Sequence, residues 1–191
     1  GEWVGNAAEV FEAVEVLSGR GPADTRRLCV ALCGLMLAVA SLAKDMSEGA
    51  RLAERALDDG SALRKFAEII AAQGGDAEVV SRPLEVLPRA GKSFLIKSSR
   101  RGVLSKLDAL SVGEALRALG GGRMKLDDEI DRSVAVRLRK KTGDAVSVGD
   151  TVIEVLYNDD ARLAEAMKYL TDCWAVSENA ERRELILDYV F

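Results

Sequence analysis

The spacing of apolar residues divides the chain into a helical first part and a mixed second part. Up to about Gln73, apolar positions recur with helical spacing, which predicts helices over 7–18, from Pro22 onward, over 47–57 and over 61–73. Glycine-containing segments follow three of these helices, as is common just past helix ends. Asn6 is the predicted cap of the first helix, with Glu9 at the capping-box position, and Ser47 is the predicted cap of the third.

The second predicted helix carries an apolar run from Leu28 to Ala43. This run is too short for a comfortable membrane span, so the pattern predicts a helix buried in a protein core. Cys29 and Cys33 lie four residues apart on it, and Cys173 is the third cysteine. An odd number of cysteines without framework spacing indicates reduced thiols in a cytoplasmic protein. We expect buried structural thiols rather than a zinc site.

The pattern changes after the segment Ser81–Ala90, which contains two prolines and is the predicted boundary between domains 1–80 and 81–191. Short runs rich in β-branched residues then alternate with helical segments, which predicts an α+β second domain. The predicted strands cover 93–99, 102–107, 133–139, 151–156 and 184–190, and the predicted helices cover 111–119 and 161–173. A turn at Arg100-Arg101 joins the first two strands, and the glycine run 120–122 is the predicted C-cap of the first of these helices.

Composition limits the chemistry and the partners of the chain. Hydrophobic residues make up 48% and charged residues 30%, as in soluble globular proteins. The net charge of −4 argues against nucleic acid or an anionic membrane surface as a partner. Because the sequence contains no histidine, it cannot assemble a Ser-His or Cys-His nucleophile by itself. We therefore assign it no catalytic residue.

Three groups of motifs carry a family resemblance. The first is V-G-N-A-A-E-V over 4–10 with Glu12-Ala13, and the second is A-A-Q-G-G-D over 71–76 with L-P-R-A over 87–90. The third consists of G-G-G-R over 120–123, D-E-I-D over 128–131 and K-T-G-D over 141–144. In order and spacing, they resemble the nucleoside phosphorylase family that includes thymidine and pyrimidine-nucleoside phosphorylases. Ala8 departs from the leucine usual there.

This resemblance implies a fold, an activity and partners. The fold would be a helical segment of the catalytic α/β domain, followed by the family's C-terminal α+β lobe with barrel-sandwich-like strands. The whole enzyme would be a pentosyltransferase, a homodimer that converts a pyrimidine nucleoside and phosphate into free base and pentose 1-phosphate. The family's phosphate loop and pyrimidine-binding residues have no counterpart here, so we assign no substrate-binding residue. Because the chain begins at Gly1, without Met and directly before the first motif, we expect a fragment. Because it has no histidine, phosphate loop or pyrimidine-binding residues, we expect that fragment to be inactive.

The resemblance also implies a cation site. Some members of the family bind a potassium-like cation near the phosphate site. Its shell includes backbone carbonyls just before the V-G-N motif and a glutamate just after it. The corresponding groups here are the carbonyl of Trp3 and the carboxylate of Glu12, both hard oxygen ligands suited to such a cation. No other cofactor is expected.

Two alternatives to this interpretation stay open. Residues 141–152 read K-x-G-D-x-V-x-x-G-D-x-V, which is similar to biotinyl and lipoyl carrier domains, where Gly-Asp pairs form tight turns. A non-enzymatic carrier or interaction domain is therefore the rival hypothesis. It requires a lysine in an exposed hairpin directly after the second Gly-Asp strand, and Leu156–Asp159 contain none. The second alternative is a sister enzyme that acts on another nucleotide substrate.

Overall fold

The computed structural model describes residues 1–123, 125–180 and 184–188. The chain forms two compact units: Val10–Leu87 with Gly1 and a segment from Leu185 onward, and Pro88–Glu184 with Glu2–Glu9. The change of unit after Leu87 falls inside the proline-containing segment. Residues Glu2–Glu9 belong to the second unit because strand β1 (Trp3–Gly5) is part of its sheet.

The first unit is helical, as the periodicity predicts. Its elements are α1, which begins in residues assigned to the second unit, then α2, α3, α4, a short 3-10 helix and α5. They cover Ala7–Leu17, Ala23–Val39, Met46–Asp58, Ser61–Ala72, Ala77–Val80 and Pro83–Val86, in that order. The predicted cap of α3 was wrong by two residues, since the carboxylate of Asp45, not the Ser47 hydroxyl, accepts a hydrogen bond from the Glu48 N–H at 2.8 Å. A carboxylate also interacts favourably with the positive end of the helix dipole.

Helices α2 and α3 touch through their backbones. Gly34 is the buried residue of α2 and Gly49 the buried residue of α3. A Cβ atom on Gly34 would lie 2.8 Å from the Met46 carbonyl oxygen and 2.9 Å from the Ala50 nitrogen. Such distances leave no room for a side chain, so glycine is needed at this crossing.

The opposite face of α2 is exposed, and the prediction of a buried helix was wrong. Leu32, Met36 and Val39 are 51%, 68% and 77% exposed, and α2 ends at Val39 rather than continuing to Ala43. The contact through Gly34 covers one narrow face, whereas the helix is apolar nearly all round. Within the described residues, no helix has the length and apolar character needed to cross a bilayer.

The same geometry decides the state of the cysteines. Cys29 and Cys33 lie on the uncovered face of α2 and are exposed, so the expectation of buried thiols was wrong for both. Cys173 is buried, as expected, and burial raises its pKa to about 11. We call the exposed face the α2 stripe and define it by Leu28, Cys29, Leu32, Cys33, Met36 and Val39.

The second unit contains two antiparallel sheets. A four-stranded sheet has the order β1-β4-β6-β2, and a three-stranded sheet has the order β5-β3-β7. The remaining strands β2 to β7 cover Lys92–Lys97, Gly102–Leu107, Ala135–Leu138, Ala145–Val146, Thr151–Tyr157 and Trp174–Ser177, and helices α6 and α7 cover Ala109–Leu119 and Asp160–Leu170. Packing of α6 and α7 with the central strands forms one core, in which Val112, Val136, Val155 and Leu170 are almost fully buried.

The prediction of an α+β fold is confirmed, although individual strands of the second unit differ from the prediction. Strands β2 and β3 follow each other in sequence but lie in different sheets, and the buried Ser98 hydroxyl donates to the Arg100 carbonyl at 2.8 Å where the chain turns. The described strands form open sheets and no closed barrel. The predicted strand 184–190 was wrong over 184–188, and 189–190 lie outside the described residues. The pattern did not predict β7.

The crossing of α2 and α3 gives a first testable prediction. Gly34→Ala should lower the free energy of unfolding of the first unit by about 1–3 kcal/mol, because the methyl group displaces the α3 backbone. The matched control is Gly113→Ala in α6, where an added Cβ meets nothing within 4 Å. That change should stabilise by about 0.5–1 kcal/mol through helix propensity. Urea unfolding followed by circular dichroism measures both, and equal stabilisation by the two changes would contradict the packing argument.

The α2 stripe gives a second prediction. Several exposed apolar side chains on one helix face should bind a hydrophobic dye and promote self-association at high concentration. Leu32→Glu combined with Met36→Glu should abolish most of both effects. Leu126→Glu is the matched control, because Leu126 is 84% exposed but lies outside the stripe. Light scattering after gel filtration measures the self-association, and fluorescence of the dye measures its binding. A chain that stays monomeric and binds no dye would overturn the prediction.

Candidate functional site

The first and third motif groups meet at one end of the four-stranded sheet. In its register Gly5 pairs with Ala135, Ala135 with Leu156, and Tyr157 with Lys92. The ends of β1 and β6 and the starts of β4 and β2 therefore lie side by side. We call the polar groups at this end the motif junction and define it by Asn6, Ala7, Gly120, Gly121, Asp131, Arg132, Ser133 and Asn158.

Helix α6 delivers the glycine run to this junction. Gly120 is the C-cap residue and has a left-handed φ of 96°, which confirms the predicted role of the run as a helix cap. Its N–H donates to the Arg117 carbonyl at 3.0 Å, and the N–H of Gly121 donates to the Leu116 carbonyl at 2.9 Å. The chain then turns away from the helix axis, and the carbonyls of Gly120 and Gly121 need donors from elsewhere.

Those donors come from the other motifs. The side-chain amide of Asn6 donates from Nδ2 to the Gly121 carbonyl at 2.8 Å, and the Asp131 N–H donates to the Gly120 carbonyl at 2.9 Å. The Ala7 N–H donates to the Arg132 carbonyl at 3.1 Å. Hydrogen bonds thus join the V-G-N segment to the G-G-G-R segment, and the G-G-G-R segment to the D-E-I-D segment, although the three are widely separated in sequence.

A carboxylate organises the second half of the junction. Asp131 Oδ1 accepts from the Ser133 hydroxyl at 2.6 Å, and Oδ2 accepts from Asn158 Nδ2 at 2.7 Å. Asn158 Oδ1 in turn accepts from the Gly91 N–H at 2.8 Å, just before β2. Burial would raise the pKa of Asp131, but the hydrogen bonds from Ser133 and Asn158 outweigh it and hold the pKa below its usual value. The stability this carboxylate contributes is present above its unfolded pKa and lost as the pH falls through its folded pKa.

The V-G-N motif needs glycine at position 5 because the backbone at the start of β4 lies too close for a side chain there. A Cβ on Gly5 would lie 2.9 Å from the Val134 carbonyl oxygen. The predicted capping box was wrong in detail: Glu9 Oε1 accepts from the Gly5 N–H at 3.0 Å, one residue before the predicted cap. The side-chain Nδ2 of Asn6 donates to the Gly121 carbonyl. Asn158 and Ser133 were not singled out from the sequence, and the only signal for Asn158 is its place in the polar stretch between β6 and α7.

The Gly-Asp turns lie away from the junction and form two similar structures. Asp144 Oδ2 accepts from the Lys141 N–H at 2.8 Å, and Asp150 Oδ2 accepts from the Ser147 N–H at 3.0 Å. In each turn the intervening glycine is left-handed, with φ of 93° at Gly143 and 88° at Gly149. The carrier-like pattern therefore reflects a repeated turn. After the second turn, β6 leads through Asn158 to Asp159, the N-cap of α7, so this connection contains no lysine-bearing hairpin.

The two predicted cation ligands lie in different units. Trp3 is in β1 of the second unit, and its ring lies under the Arg137 guanidinium at 4.8 Å. Glu12 is in α1, in the first unit, half-buried with its carboxylate against the backbone of Gly1. Among the described residues, no three His, Cys, Asp or Glu side chains cluster as a metal site would require. A shell of carbonyls and one carboxylate is not such a cluster, and it stays a prediction.

The geometry of the junction determines what it can do chemically. Asn6, Asp131, Ser133 and Asn158 each have a hydrogen-bond partner within the second unit. Such an arrangement fixes the positions of backbone segments, because its polar groups are already used in holding the fold together. The second motif has a similar character: the left-handed Gly74, with φ of 80°, follows α4, and Asp76 caps the 3-10 helix.

Comparison with known proteins identifies the relatives of the chain. Residues 103–177 match the family model described as "Pyrimidine nucleoside phosphorylase C-terminal domain". A pyrimidine-nucleoside phosphorylase of Staphylococcus haemolyticus is 37% identical over 97% of this chain and 42% of its own length. One of Geobacillus stearothermophilus is 41% identical over 81% of this chain and 36% of its own length. One of Bacillus subtilis is 34% identical over 96% of this chain and 42% of its own length.

The chain thus spans about two fifths of the length of these curated relatives. The matched part is their C-terminal part. It does not support the carrier alternative. The chain belongs to the pyrimidine-nucleoside phosphorylase family and corresponds to the C-terminal part of its members.

Proposed function

We propose that this chain is part of an enzyme that cleaves pyrimidine nucleosides with inorganic phosphate. In the reaction the bond between C1′ of the pentose and the base nitrogen breaks, and a phosphate oxygen forms a new bond to C1′. The products are the free base and pentose 1-phosphate, which makes the enzyme a pentosyltransferase. The observation that carries this proposal is the similarity of almost the whole chain to relatives named pyrimidine-nucleoside phosphorylases.

The role of this chain in such an enzyme is positioning. Phosphorolysis passes through a sugar with oxocarbenium character, so catalysis depends on holding phosphate and nucleoside in place and on stabilising charge. The motif junction holds β1, β4, β6 and the end of α6 in fixed register. We infer that the groups contacting phosphate and base come from polypeptide outside this chain, and that the enzyme is a cytoplasmic homodimer without nucleic-acid or membrane partners.

We also propose that a potassium ion supports the phosphate site of the whole enzyme. The Trp3 carbonyl and the Glu12 carboxylate would contribute to its shell. The donor set fits, since both are oxygen ligands of the kind that hard cations prefer. When bound, such an ion supplies positive charge near the phosphate.

The third prediction separates this chain from the complete enzyme. The chain alone should release no base from thymidine or uridine in the presence of phosphate. A chimera in which this chain follows the N-terminal part of the Bacillus subtilis relative, up to the start of the matched region, should be active. Release of free base, followed by chromatography, measures both, and turnover in the usual range of about 10 s⁻¹ marks full function. A folded but inactive chimera, or an active isolated chain, would overturn the proposed division of roles.

The fourth prediction concerns Glu12 in that chimera. Glu12→Gln removes a negative charge but keeps the shape, so potassium should activate the enzyme at concentrations roughly tenfold higher, as for loss of one charge-assisted contact. The control is Glu15→Gln, the same change one turn further along α1, where the carboxylate pairs with Arg20 at the surface. Potassium titrations of the initial rate measure the effect. An unchanged potassium dependence would show that Glu12 is an ordinary helix glutamate.

A further inference from the structure

Strand β1 is short and is held mostly from one side. It has three residues and, among the strands that the structure describes, pairs with β4 alone, at the edge of the four-stranded sheet. Short edge strands open easily, because few hydrogen bonds have to break together. The residues that hold the end of β1 therefore determine how firmly the first motif is fixed.

Beyond its pairing with β4, the described residues form three hydrogen bonds at this end. The Gly5 N–H donates to Glu9 Oε1 at 3.0 Å, the Ala7 N–H donates to the Arg132 carbonyl at 3.1 Å, and Asn6 Nδ2 donates to the Gly121 carbonyl at 2.8 Å. The first is local, and the second comes from the backbone and would survive most substitutions. The third depends on the side chain and joins residues 115 positions apart.

The chemistry of the Asn6 contact is selective. The Gly121 carbonyl can only accept, so its partner must donate. Aspartate has nearly the same shape as asparagine, but its ionised carboxylate has no donor and would face the carbonyl dipole unfavourably. Loss of the amide also leaves the half-buried carbonyl without this donor, which costs more than the bond itself contributes.

We propose that Asn6 is a positioning residue of the phosphorylase, which fixes the end of β1, and with it the Trp3 carbonyl, on the C-terminal domain through Gly121. The enzymatic part of this proposal rests on the proposed function, whereas the structural part does not. Asn6 acts through backbone groups and needs no contact with substrate.

The structural part is tested on the isolated chain by hydrogen exchange of single amides. Asn6→Asp should speed the exchange of the β1 amides and of Ala7 by about tenfold, as for loss of one hydrogen bond. The amides of Val136 and Val155, in the central strands, should keep their protection. Asn179→Asp, the same change at an exposed position, should alter neither group. Asn6→Ala provides a second variant without the added charge, in case the aspartate prevents folding.

The enzymatic part is tested in the active chimera. Asn6→Asp should raise the potassium concentration for half-activation by about tenfold, while kcat at saturating potassium changes little. A residue that merely stabilises the fold would lower the amount of active enzyme without moving the potassium dependence.

Each outcome separates the two claims. Unchanged exchange of β1 in both variants overturns the positioning role, whatever the activity. Faster exchange with unchanged potassium dependence overturns its enzymatic part. If the wild-type chimera has no activity, the proposed function fails, and the exchange experiment still decides whether Asn6 holds β1.

Discussion

The second unit depends on how the carbonyl groups after α6 are satisfied. The left-handed Gly120 ends α6 and turns the chain, so that the carbonyls of Gly120 and Gly121 accept hydrogen bonds from distant segments. One receives the Asn6 amide and the other the Asp131 N–H. Because an unpaired, half-buried carbonyl is costly, this requirement ties the first residues of the chain to the middle of the C-terminal domain.

Much of the fold follows from local patterns. Helices α1 to α4 and strands β3 and β6 were predicted to within a few residues, since helical spacing and alternation record which face is buried. Pairing was not predictable in this way. Strands β2 and β3 are separated by a short turn, yet β2 pairs with β6 and β3 with β5 and β7. A buried serine at the turn carries no periodic signal for such a change of sheet.

The contacts at the motif junction were even harder to predict from local patterns than the strand pairing. The motifs were recognisable in the sequence and the glycine run could be interpreted as a cap, but no local pattern indicates that the Asn6 amide donates to the Gly121 carbonyl. That contact joins residues far apart in sequence, so only the tertiary structure shows it. Likewise, the apolar character of α2 indicates a need for cover, but the covering partner is not encoded in the helix itself. Cys29 and Cys33 are exposed for this reason.

The pairing of β1 with β4 has a consequence for biosynthesis. A ribosome delivers the chain from its N-terminus, so the helices of the first unit leave the exit tunnel while β4, β6 and β7 have not yet been translated. Until residue 137 emerges, β1 lacks β4, the strand with which it pairs in this structure. During that interval the nascent chain presents both an unpaired strand edge and an apolar helix, the features that chaperones recognise. The sheet therefore closes late, because β1 and β4 are far apart in the sequence and contacts between distant segments form slowly.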